Sequence, residues 1–148
     1  MRGRESPERR TRLPGWYLRQ GYFDGKGKLF PELITGGVEN LARMLVSQAD
    51  LTTHQLRRFY NMAKRLEWAS SSGDFEEVKL GLQKLKAFAA DFVARAEGER
   101  RREGREMFKE FIERNVDLAT KDEKHFKAFI EHFQSLVAYF NYHKERRR

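Results

Sequence analysis

The chain has 148 residues, no cysteine and a formal net charge of +8; 35% of its residues are charged, 39% hydrophobic and 13% aromatic. That length supports one domain burying about 70% of its unfolded surface, and so much aromatic side chain argues against disorder. The missing cysteine excludes disulfides, thiolate nucleophiles and cysteine-bearing zinc or iron–sulfur sites, and no apolar run approaches the ~18 residues of a membrane span.

Residues 1–36 and the adjoining Gly37 include glycines at 15, 21, 25, 27, 36 and 37, and aromatics at Trp16, Tyr17, Tyr22, Phe23 and Phe30. They read as an irregular arm, laid over the rest of the chain or over a neighbouring molecule. The opening MRGRESPERR is basic but has no apolar h-region, so it does not read as a secretory signal. A reducing cytoplasm is the expected compartment. Residues 1–30 carry eight Lys/Arg against three Asp/Glu, 143–148 carry four against one, and 31–142 carry eighteen of each. The excess charge therefore sits at the two ends, which suits a polyanion and equally suits mere solubility.

After Pro31 no proline interrupts the pattern, and five helical segments follow. The first, about 37–49, has Val38, Leu41, Ala42, Leu45 and Val46 on one face. The second opens on a capping box, Thr52 with Gln55, and carries Leu56, Phe59, Tyr60, Ala63 and Leu66 as its stripe. It frays at 70–73. The third is capped by Asp74, lined by Val78, Leu82, Leu85, Ala89, Phe92 and Ala96, and ended by Gly98. The fourth carries Phe108, Phe111, Ile112, Asn115 and Leu118, with Glu110 and Arg114 paired at i,i+4. The fifth begins near Asp122, and Phe126, Phe129, Ile130, Phe133, Leu136, Val137 and Phe140 form its stripe. No segment alternates with a period of two. The expected fold is all-α: a compact antiparallel bundle of about five helices over 37–145, with the arm at 1–36 and a basic tail at 146–148.

Catalytic chemistry is not visible. His54, His125, His132 and His143 do not form HExxH, and Asp122-x-x-His125 occurs once where a di-iron site needs two such pairs. There is no GxxxxGK[ST] loop and no GxSxG elbow; Gly25-Lys26-Gly27 reads as a turn. The chain reads as a non-enzyme with no cofactor and no metal.

The second helix is the unusual one. With Leu56 set at zero and about 100° per residue, Phe59, Tyr60 and Ala63 stay near it, while Arg57, Arg58, Asn61, Lys64 and Arg65 fall on the far side, with His54 and Trp68 in the same arc. Arg57 to Arg65 covers roughly 12 Å of axis, enough to follow several phosphates of one strand. Asn61 would bond a sugar or phosphate oxygen, and Trp68 would stack on a base. The same pattern is also that of a solvated face whose cations pair with neighbouring acids, and Trp68 also fits a peripheral core position. Arg100, Arg101 and Arg102, between the third and fourth helices, are a second candidate, since three cations near a helix N-terminus oppose its dipole. A disordered junction would also explain them.

The order of segments GYFDGKGKLFPELI, LTTHQLRRFYNMAKRLEWA, FKEFIERNVDLA and HFKAFIEHFQSLVAYFNYHK resembles the small helical subunit of type III-A CRISPR effector complexes, the second subunit of the Csm family. The resemblance covers about residues 20–145; its most specific block is Leu-Thr-Thr-x-Gln-Leu-Arg-x-Phe-Tyr at 51–60, supported by Val-Ala-Tyr at 137–139. It implies an all-helical subunit without nuclease activity that binds guide and target RNA without sequence preference. It also implies contact with the other Csm subunits and with further copies of the same chain. Basic residues after Leu-Thr-Thr carry over as Arg57, Arg58, Lys64 and Arg65. Rival readings are a helical scaffold that contacts only protein, a helical DNA-binding protein, and a metal-dependent bundle enzyme.

Overall fold

Helix starts are set by short polar side chains that accept from otherwise unpaired amide groups. In the computed structural model, which describes residues 13–146, Thr52 Oγ1 accepts from Gln55 N at 3.0 Å and Gln55 Oε1 accepts from Thr52 N at 2.9 Å. This capping box opens α2 (Thr53–Ser71), which follows α1 (Gly36–Gln48). Asp74 Oδ1 accepts from Glu77 N and opens α3 (Phe75–Ala94). Asp122 Oδ1 accepts from His125 N and opens α5 (Glu123–Arg146). Between them runs α4 (Glu99–Ala119), whose N-cap is Gly98, with no side-chain cap. Of the basic ends, 1–12 and 147–148 lie outside the described residues.

The helix count and order match the expectation, with one boundary corrected. Gly98 does not end the third helix. That helix closes at Ala94, and Gly98 starts the next one at φ +95°, a conformation that glycine adopts without strain. Arg100, Arg101 and Arg102 therefore lie in the first turn of α4 and not in a junction between helices. Arginine is a good helix former, and Arg102 pairs with Glu99 at 3.1 Å, which offsets part of the dipole penalty.

Connections of three or four residues join the helices, and from α2 onward each one returns beside its predecessor. The registers are antiparallel: Phe59 meets Phe92 and Leu66 meets Gly81 across α2 and α3; Phe92 meets Phe108 and Lys86 meets Asp117 across α3 and α4. Tyr60 meets Phe133 and Ser70 meets Glu123 across α2 and α5. Helices α2 to α5 thus form a four-helix square, and α1 lies along α5 and touches α4. Phenylalanines fill the interior: Phe108, Phe111, Phe126, Phe129, Phe133 and Phe140 are fully buried. Among the described residues no strand forms, and a single bridge joins Phe23 to Leu29.

The segment before α1 belongs to the same core. Leu13, Tyr17, Tyr22 and Leu33 are buried, and Tyr17 and Tyr22 stand over α4 and α5. Their hydroxyls enter a closed buried chain. Leu33 C=O can only accept, so His132 donates to it from Nδ1 at 2.7 Å, which leaves Nε2 to accept from the Tyr17 hydroxyl at 2.6 Å. Asn115 Nδ2 donates to Tyr17 Oη at 2.9 Å and to Phe111 C=O, and Asn115 Oδ1 accepts from the Tyr22 hydroxyl at 2.7 Å. Outside this chain, the Arg114–Glu110 pair bonds the arm's backbone: Arg114 donates to Tyr17 C=O at 3.1 Å, and Glu110 accepts from Leu13 N at 3.1 Å. The turn expected at 25–27 is present, with Asp24 Oδ1 accepting from Lys26 N and Lys28 N. Lys124 donates to Gly27 C=O at 3.0 Å over the Phe23 ring.

Candidate nucleic-acid interface

The apolar side of α2 is committed to the core: Leu56, Phe59, Ala63 and Ala69 are buried against α3, α4 and α5. That fixes the opposite side to solvent. His54, Arg57, Arg58, Asn61, Lys64, Arg65 and Trp68 are all exposed, and Trp68 keeps 83% of its surface, so it is not a core residue. Lys64 Nζ lies 2.8 Å from Glu67 Oε1, and this hydrogen bond raises its pKa. Arg57, Arg58 and Arg65 have no carboxylate within ion-pair distance among the described residues.

Other helices treat their cations differently. Arg43 pairs with Glu39, Lys86 with Asp117, Arg95 with Asp91, Lys109 with Glu113 and Arg114 with Glu110. On α2 the only acid is Glu67, so three guanidinium groups on one helix keep their full donor capacity. In α4, Arg100 and Arg101 are exposed and likewise lack a carboxylate partner among the described residues, whereas Arg102 is held by Glu99 and by Ala96 C=O.

Beside Arg58 the surface is concave. A groove of about 630 Å³ lies between α2 and α3 and reaches the start of α4. Phe59, Met62, Phe88 and Phe92 form its apolar part, and Gln55, Arg58, Asp91, Arg95 and Arg105 its polar part. The residues come from two facing i, i+3, i+4, i+7 sets, 55–62 on α2 and 88–95 on α3. The helices are close where the missing side chain of Gly81 admits Leu66, and the groove opens at the other end of the pair. Arg105 lies with its guanidinium 4.1 Å over the Phe92 ring, bonded to Asp50 and to Phe92 C=O. The local sequence pattern does not reveal this groove. Helical periodicity assigns Phe92 to the core stripe alone, and the matched spacings of 55–62 and 88–95 signify a groove only once the two helices are known to be neighbours.

Three of the four histidines have structural partners, and His54 is exposed. His132 is buried in the arm network, His125 Nδ1 bonds Asp122 at 2.7 Å, and His143 bonds Glu39 at 2.8 Å. Among the described residues no group of His, Asp and Glu is placed to hold a metal ion, and no helix is long and apolar enough to cross a membrane.

Fold and surface together define a small basic helical-bundle protein with one cationic helix face, next to an aromatic groove. A family model described as Csm2 Type III-A matches residues 30–146. The chain belongs to that family and is a small subunit of the type III-A CRISPR-Csm complex, associated with the other Csm subunits. Neither a curated protein nor a solved structure matches it. The matched stretch begins at Phe30, so most of the arm that completes the core, including Tyr17 and Tyr22, precedes it.

Proposed function

We propose that this subunit is non-catalytic and holds the backbone of guide and target RNA without sequence preference, through Arg57, Arg58, Asn61, Lys64 and Arg65 on α2. Base pairing between guide and target carries the sequence information, and the subunit supplies charge and shape. The observation that carries this reading is the set of three exposed α2 arginines without a carboxylate partner, on a molecule whose other helices pair most of theirs. Phosphates are the complementary partner, since each contact releases condensed counterions. Arg100 and Arg101 extend the positive surface, and His54 and Trp68 flank the stripe. Repeated head-to-tail copies along a filament agree with exposed apolar side chains such as Trp68 and Leu80, which are available for heterologous contacts. The compartment is the cytoplasm, where such a ribonucleoprotein would serve antiviral defence.

Reversing two charges, Arg57→Glu with Arg65→Glu, tests the assignment by titration of labelled single-stranded RNA at several salt concentrations. The variant should bind more weakly, and the slope of log K against log salt should shrink by about 0.7 for each lost contact, with the helical content unchanged. RNA binding equal to that of the unaltered chain removes the stripe from the interface.

A further inference from the structure

We propose that the α2–α3 groove is a base-accepting pocket for single-stranded RNA, in which one nucleobase stacks on Phe88 while Arg58 and Arg95 hold its phosphate. This deepens the reading of α2 as an RNA face and rests on it. Three features point to a nucleotide. The first is a free aromatic face. Phe92 is already covered by the Arg105 guanidinium and by the edges of Phe59 and Phe108, but Phe88 remains 48% exposed and has no ring or cation against it among the described residues. An aromatic ring held on a rigid helix beside cations is the arrangement on which unpaired bases stack.

The second is the charge around that ring. Arg58, Arg95 and Arg105 face one carboxylate, Asp91. Arg105 is held by Asp50, while Arg95 is exposed and makes an i,i+4 pair with Asp91 that can be exchanged for a phosphate at little cost. Asp91 stays on the rim and opposes a second phosphate, so the pocket suits one nucleotide and not a run of them. The third is continuity. Arg58 belongs both to the α2 cation set and to the groove lining, so a strand tracking α2 passes the mouth of the pocket. The volume lies within the roughly 300–1,000 Å³ of ordinary ligand sites.

The test uses the full chain and two probes, a short oligouridine and the abasic ribose-phosphate strand of the same length. Phe88→Ala should weaken oligouridine binding about tenfold, leave the abasic strand unaffected, and leave the salt slope unchanged. Phe88→Trp should restore binding, and Ile34→Ala, at an exposed apolar residue before α1, should have no effect. Equal binding of oligouridine by Phe88→Ala and the unaltered chain overturns the pocket; if Arg57→Glu with Arg65→Glu still weakens binding, the backbone face survives without it. If Phe88→Ala leaves both strands unaffected and instead dissociates copies of the chain in sedimentation, the groove holds protein and the proposal fails.

Discussion

His132 sits among aromatic rings with both ring nitrogens bonded, and burial pushes its pKa down from 6.5 to about 4. Between those values the unfolded chain binds a proton that the folded chain excludes. Stability is therefore complete above pH 6.5, falls by up to about 1.4 kcal/mol per pH unit below it, and has lost about 3 kcal/mol by pH 4. Urea unfolding at pH 7 and pH 4.5 measures this loss, and a His132 imidazole that titrates near its ordinary value in the folded chain contradicts it. Asp122, whose pKa is lowered by its bonds to His125, acts in the same direction but at lower pH. Asn115 ties both tyrosines to α4. Asn115→Leu keeps the volume but leaves the Tyr22 hydroxyl only its long 3.4 Å bond to the carbonyl of the same residue and removes the donor to Tyr17 Oη, which should cost about 1–3 kcal/mol in the same unfolding experiment.

Two helices approach others through glycine, and the two contacts differ in kind. A Cβ at Gly104 of α4 would meet Asp50 N at 2.8 Å and Gln48 C=O at 2.9 Å, both backbone atoms where α1 ends and the turn toward α2 begins. A Cβ at Gly81 of α3 would meet the Leu66 methyls, the end of a side chain that can rotate. Alanine gains about 1 kcal/mol of helix propensity at either site, while overpacking costs about 1–3 kcal/mol where nothing can yield. Gly104→Ala should therefore destabilise by about 1–2 kcal/mol in denaturant titration, and Gly81→Ala by clearly less. Equal effects would show that the backbone before α2 gives way as easily as a leucine. The α2 capping box, the Asp74 cap and the apolar stripes were legible in the sequence because each depends on residues a few positions apart. The Gly98 boundary was not legible, because a glycine of positive φ ends one helix or begins the next with the same local composition, and only the end of α3 at Ala94, with 95–97 intervening, distinguishes them.

At the scale of the whole molecule, the arm and the bundle share one hydrophobic core. Removing residues 1–29 takes away Tyr17 and Tyr22 and leaves His132, Asn115 and Phe111 facing water. Residues 30–148 should retain strong helical circular dichroism but unfold at markedly lower urea concentration and bind a hydrophobic dye. Unchanged stability would mean that the buried network contributes nothing. The cationic face lies on α2, away from the arm's attachment to α4 and α5, so Arg57→Glu with Arg65→Glu should leave the unfolding midpoint within about 0.5 kcal/mol of that of the unaltered chain. Loss of RNA binding and loss of stability are thus separable.

The sequence by itself determined the helices, their inward faces and the gathering of cations on α2, because helical periodicity assigns every residue a direction from its neighbours within a few turns. It left open whether those cations were paired and where the arm lay, since both depend on which distant segments come together. Tertiary structure decided that Arg57, Arg58 and Arg65 face no carboxylate among the described residues, that Tyr17 and Tyr22 bond to residues some 90 to 115 positions away, and that α2 and α3 part beside Arg58. Long-range packing creates a buried polar chain and a groove by juxtaposition, and no local pattern encodes which surfaces will meet.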